Sequence, residues 1–96
     1  MIAYVVNITE YDCFTGEHKR TRRTTPFYEI DKAYTFAYVK TLDDLQFFNK
    51  ISQEGFMRKA KFAPSIDSDG RALTVNAWKR KKRIPLVVYS IEEVEI

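Results

Sequence analysis

The chain has little of what builds most chemical sites. It holds one cysteine, Cys13, and one histidine, His18, in 96 residues. A lone thiol closes no intramolecular disulfide, which fits a reducing, cytoplasmic setting. Cys13 and His18 share one turn, five positions apart. A nucleophile–base pair also needs an orienting group and an oxyanion site, and no residues mark either. Zinc needs more ligands of this kind. Glycine is equally scarce. Gly16, Gly55 and Gly70 stand alone, so there is no glycine-rich phosphate loop. Asp67, Asp69 and Gly70 begin like a calcium loop, but Arg71, Leu73 and Val75 supply no carboxylates and no bidentate glutamate closes it. The expectation is a non-enzyme with no catalytic residue, no metal site and no cofactor.

A long apolar run is missing too. Ile84 to Tyr89 is among the longest, and it is interrupted by Pro85 and far too short to span a bilayer. No Lys or Arg precedes Ile2 to Ile8, and Asn7 and Glu10 break the apolar pattern, which is not the pattern of a signal peptide. No membrane contact is expected.

Aromatic residues are plentiful, with seven Phe, six Tyr and one Trp, against three Gly and three Pro. That balance argues for a packed domain and for strands over helices. The length suits one domain, 1–96, with a core large enough to need no disulfide or metal.

Period-two alternation organises most of the chain. In Met1 to Tyr11, the residues Ile2, Tyr4, Val6 and Ile8 form an apolar face. Asp12 to His18 is a turn around Gly16. Lys19 to Thr25 returns with no apolar face, so it is an edge strand or an arm, ended by Pro26. Tyr34, Phe36 and Tyr38 alternate with Ala33, Thr35, Ala37 and Val39, which reads as a strand over Ala33 to Lys40. The competing assignment is one helix from Asp31 to Glu54, with Tyr34, Ala37, Tyr38, Thr41, Leu42 and Leu45 at helical spacing. Thr41 reads as an N-cap, Asp43 and Asp44 as first-turn acids and Gly55 as a stop, which predicts a helix from Leu42 to Glu54. Phe56 to Ala63 reads as a strand closed by Pro64, and Asp67 to Gly70 as a turn. Arg71 to Trp78 and Pro85 to Ile96 complete the strands. Continued alternation past Trp78 would bury Lys79, Lys81 and Arg83, so the regular strand must end or bulge near there.

The expected fold is α+β and β-rich. It has about six strands, mostly antiparallel, with the helix Leu42 to Glu54 between strands 3 and 4. They form either a twisted sheet or a small OB-like barrel.

The net charge is only +3, from 16 basic and 13 acidic residues, but twelve of the basic residues fall in three clusters. These are Lys19, Arg20, Arg22 and Arg23; Lys79, Arg80, Lys81, Lys82 and Arg83; and a secondary group, Arg58, Lys59 and Lys61. Local potential therefore matters more than the total. The first two clusters, with Trp78 between Ala77 and the cations, suggest phosphate contacts beside a stacking aromatic, which Tyr34, Phe36 and Tyr38 would extend if that face is wet. The expected partner is the nucleic-acid backbone. The alternative is an acidic surface on a partner protein. Glu92, Glu93 and Glu95 can neutralise one arm by cross-strand pairing. The alternating Ile91 to Ile96 offers an edge for a homodimer.

Overall fold

The chain runs in the order β1 (Ile2–Tyr11), β2 (His18–Arg23), α1 (Ile30–Gln53), β3 (Ala63–Asp69), β4 (Ala72–Lys79) and β5 (Lys82–Glu95). The computed structural model describes residues 1–12, 15–53, 63–79 and 82–96. The five strands form one sheet in the order β2-β1-β5-β4-β3, and every pair is antiparallel. The last strand is therefore central. At 14 residues β5 is also the longest, and its span of about 46 Å accounts for most of the 50 Å long axis.

The alternation read in β1 is what the sheet uses. Val6 and Ile8 face the helix, together with Leu73, Val75 and Ala77 of β4 and Leu86, Val87, Tyr89 and Ile91 of β5. β2 is an edge strand and all six of its residues are exposed, as its charged composition demands.

The helix departs from expectation. It spans 24 residues, lies between the second and third strands, and absorbs both the strand predicted over Ala33 to Lys40 and the shorter helix predicted from Leu42. The reason is a second periodicity in the same residues. Ala33, Ala37 and Thr41 are fully buried, and Phe48 and Ile51 continue their line toward the core. This is the 3.6-residue stripe of a sheet-packed helix, and its small residues let the backbone approach the strands closely. Thr41 is not an N-cap. Its hydroxyl donates to the Ala37 carbonyl one turn back. Asp31 supplies the first-turn acid instead, and Lys50 the last-turn base. Gly55, predicted to stop the helix, lies outside the described residues.

Two further expectations are corrected. The sheet has five strands and two separate edges, β2 and β3, so it is not a closed OB-like barrel. β3 also lies later than predicted. Pro64 and Asp67 belong to it, and the turn is confined to Gly70 and Arg71, with Gly70 at φ 57°. An edge strand tolerates Pro64 because its missing N–H costs no ladder bond on the outer side. Most of the predicted strand Phe56 to Ala63 lies outside the described residues.

The anticipated break near the cations is met where β4 ends, at Lys79. A separate irregularity precedes it, a bulge on the partner strand. Val75 pairs with Val87 but Asn76 pairs with Pro85, leaving Leu86 as the extra residue. Pro85 cannot donate to a ladder, which makes this the natural place for the slip. The bulge lets Leu86 and Val87 both join the core while Arg83 emerges beside Trp78. β4 continues regularly to Lys79, which pairs with Lys82.

Candidate functional site

Antiparallel register brings the two basic hairpins to the same end of the sheet. Ile2 pairs with Glu95 and Glu10 with Val87, so the close of β1 lies beside the start of β5. The turn after β1 reaches across. A Cβ placed on Gly16 would stand 3.9 Å from Ile84 Cγ2. Lys19 and Arg20 thus share one end of the domain with Trp78, Lys79, Lys82 and Arg83. Arg22 and Arg23 lie further along β2, opposite Ile8 and Asn7. Arg80, Lys81, Cys13, Arg58, Lys59 and Lys61 lie outside the described residues.

The guanidinium groups are held by the protein's own acids. Glu10 accepts from both Arg20 and Arg22, the latter at 3.1 Å. Arg23 donates to Asn7 Oδ1 and to Glu92, each at 3.1 Å, and Arg83 donates to Asp67 at 3.0 Å. Arg71 pairs with Glu93 at 2.9 Å and the N-terminal ammonium with Glu95 at 3.0 Å. Of the three C-terminal glutamates, Glu92 alone meets an arm, through Arg23, while Glu93 and Glu95 pair with Arg71 and the N-terminus. The four described arm arginines, Arg20, Arg22, Arg23 and Arg83, nonetheless remain more than half exposed. Lys19 and Lys82 form no ion pair among the described residues, so these cations and the exposed guanidinium edges form the accessible positive surface.

Trp78 lies directly across from Arg83, on the sheet face away from the helix, and is 47% exposed. The predicted extension of this platform fails. Tyr34, Phe36 and Tyr38 are on the helix. Tyr34 donates to the Gly70 carbonyl at 3.1 Å, Phe36 packs on Phe27 at 5.6 Å, and only Tyr38 is largely exposed. His18 is engaged locally, 2.9 Å from the Thr21 hydroxyl and edge-on to Tyr11. Among the described residues no group of three or more His, Cys, Asp or Glu could hold a metal. No helix among them is long and apolar enough to cross a membrane.

Two clusters were not anticipated. One joins β1, β2, β5 and the helix. Tyr89 donates to Asp44, and both face Glu10 and its arginines across a cleft lined by Arg22, Phe36 and Lys40. Glu10 occupies the position after Tyr4, Val6 and Ile8 on the inward face of β1, and an acid in that register was the available signal. A hydrogen bond from Arg20, aided by the charges of Arg22 and Lys19, holds the Glu10 carboxyl below its usual range despite some burial. Burial pushes Asp44 up, and the neighbouring Glu10 charge adds to it, against the Tyr89 hydrogen bond. Burial and the same bond push the Tyr89 phenol up. The other cluster joins Asp67, Asn76 and Arg83 on the opposite face.

The two carboxylates should respond to pH with opposite sign. Glu10 has a lowered folded pKa, so its contribution is present above its ordinary value near 4.5 and is lost as pH falls through the folded value. Asp44 has a raised folded pKa, so its charged form costs stability as pH rises from about 3.8 through the folded value. Glu10→Gln is expected to lower the urea midpoint at pH 7, and Asp44→Asn, which keeps an acceptor for Tyr89, to raise it. Both differences should shrink toward pH 3. Urea titrations at several pH values check this.

The fold defines a small α+β domain, a five-stranded antiparallel sheet covered on one face by one helix. No family model, no curated protein and no solved structure matches the chain.

Proposed function

We propose that this domain binds nucleic acid through the end where its two basic hairpins meet, mainly by phosphate contacts. The observation that carries this reading is that Lys19, Arg20, Lys82 and Arg83 share one end of the sheet, where Lys79 pairs with Lys82 and an exposed Trp78 stands across from Arg83. Phosphates bind lysines as point charges and arginines through planar forks. The existing ion pairs do not oppose this. An exposed pair is worth little in water, so a phosphate can share or replace the carboxylate at small cost.

Titrating dye-labelled single- and double-stranded oligonucleotides by fluorescence anisotropy at rising salt tests the reading. With about six phosphates contacted, affinity for duplex should fall roughly a thousandfold between about 50 and about 200 mM salt. A flat salt response, or no binding at the lowest salt, overturns it.

A second reading is a protein-interaction module that docks on an acidic partner. It is favoured by the arm arginines already paired internally and by Tyr38, Val39, Leu42 and Phe47 exposed along the helix. A partner captured from host lysate and retained after nuclease treatment supports it over the first reading. Self-association through the end of β5 is the weaker alternative. That segment already pairs with β1 on one side, and most two-fold registers on the other side set glutamate against glutamate.

A further inference from the structure

We propose that the polar cleft on the open face of the sheet is a nucleobase pocket that selects an unpaired guanine, which makes single-stranded nucleic acid the ligand class. This deepens the nucleic-acid reading above and rests on it. The cleft has a volume of ≈ 360 Å³, at the small end for ligand pockets, and is lined by Asp67, Ser68, Asp69, Thr74, Asn76 and Arg83. It is separate from the more apolar hollow of ≈ 440 Å³ between the helix and the basic end of the sheet.

The pocket is built before any ligand arrives. Asp67 accepts from the Asn76 amide and from the Arg83 guanidinium, the latter at 3.0 Å. Asn76 is only 3% exposed, so its side chain is fixed by both packing and this bond. One carboxylate thus orients two donors, and a ligand need not spend binding energy ordering them.

The donors and acceptors favour guanine. Asp69 is exposed and takes part in no ion pair among the described residues. Guanine carries N1–H beside its N2 amino group, two adjacent donors that one carboxylate accepts together. Its O6 and N7 are acceptors, the pair an arginine guanidinium reads. Asp69 on one edge and Arg83 on the other therefore match guanine on both sides. Adenine and cytosine offer a carboxylate one amino group without a neighbouring ring N–H. Thymine and uracil offer one N–H flanked by two carbonyl oxygens, which a carboxylate repels. In a duplex the N1 and N2 groups are occupied by base pairing, so only an unpaired guanine can present them.

Trp78 gives the strand a second hold. It lies two residues from Asn76 on the same face, about 7 Å along the strand, and directly opposite Arg83. A base next to the guanine can stack on the indole while the exposed Lys82 takes the backbone.

The test uses three dye-labelled decamers, all thymidine, thymidine with one central guanine, and the same with inosine, which lacks the amino group. Guanine should bind roughly five- to a hundredfold tighter than all-thymidine, the range for one good bidentate contact. Inosine should fall back toward the thymidine level. Asp69→Asn, an exposed and isosteric change, should erase the guanine preference and leave thymidine binding intact. Equal, salt-dependent binding of all three decamers overturns the pocket and leaves the backbone reading standing. An inosine decamer as tight as guanine, or an Asp69→Asn protein that keeps the preference, also overturns it. Failure of every decamer to bind at low salt overturns the pocket, and failure of a duplex under the same conditions as well sinks both readings.

Discussion

Leu86→Ala is expected to lower the stability of the domain by about 3 kcal/mol, within the 2–5 kcal/mol typical of buried leucine truncations. Leu86 is 1% exposed and is the largest of the fully buried side chains. It is also the unpaired residue of the bulge, so no ladder partner on β4 fixes its position and packing alone holds it. Truncation removes the apolar contact and leaves a void that the bulge cannot close without moving Pro85 or Val87. For a domain of this size the change corresponds to a fall in melting temperature of roughly 12–24 °C. The control is Val88→Ala, on the opposite face of the same strand and only partly buried, which should cost less than about 1 kcal/mol. Urea unfolding of both variants measures the difference. Equal losses would mean that the bulge does not direct Leu86 into the core.

Parts of the fold were legible in the sequence where a single element carries its own pattern. Alternation in Ile2 to Tyr11 assigns the inward face of β1 directly, and the lack of apolar residues in Lys19 to Arg23 assigns an edge. Both are local patterns that one strand carries by itself. The helix was harder because two periods coexist. Tyr34, Phe36 and Tyr38 repeat every two residues, whereas Ala33, Ala37 and Thr41 repeat every four. The larger side chains dominate any reading of hydrophobicity, yet the small ones are the fully buried ones. Propensity favoured the strand, and tertiary packing decided otherwise.

The ion pairs were beyond reach for a different reason. Arg23 meets Glu92 across 69 positions because β1 stands between β2 and β5. No local pattern states that the final strand inserts at the centre of the sheet. The same order brings the turn after β1 next to Ile84 and so unites two arms that are far apart in the chain. The sequence marks which residues are basic, and the strand order determines which of them share one end of the sheet.

Replacing Lys79, Lys82 and Arg83 together with serine is expected to cause the largest change in nucleic-acid affinity. Each phosphate left without its cation should reduce the slope of log affinity against log salt by about 0.9 for duplex and about 0.7 for a single strand. Removing all three cations should flatten the slope by roughly two to three and weaken binding at low salt by about a hundredfold or more. The fold should survive. Lys82 and Arg83 are exposed, and the pair between Arg83 and Asp67 lies at the surface, where such pairs contribute little. Arg22→Ser with Arg23→Ser is the informative comparison. These residues carry comparable charge but stand further along β2, away from the hairpin tips. If affinity followed total charge alone, the double variant would lose about two thirds as much as the triple one. A much smaller loss locates the binding site at the converged end, and a loss in proportion to charge would show that the whole basic surface acts as a diffuse field with no defined site.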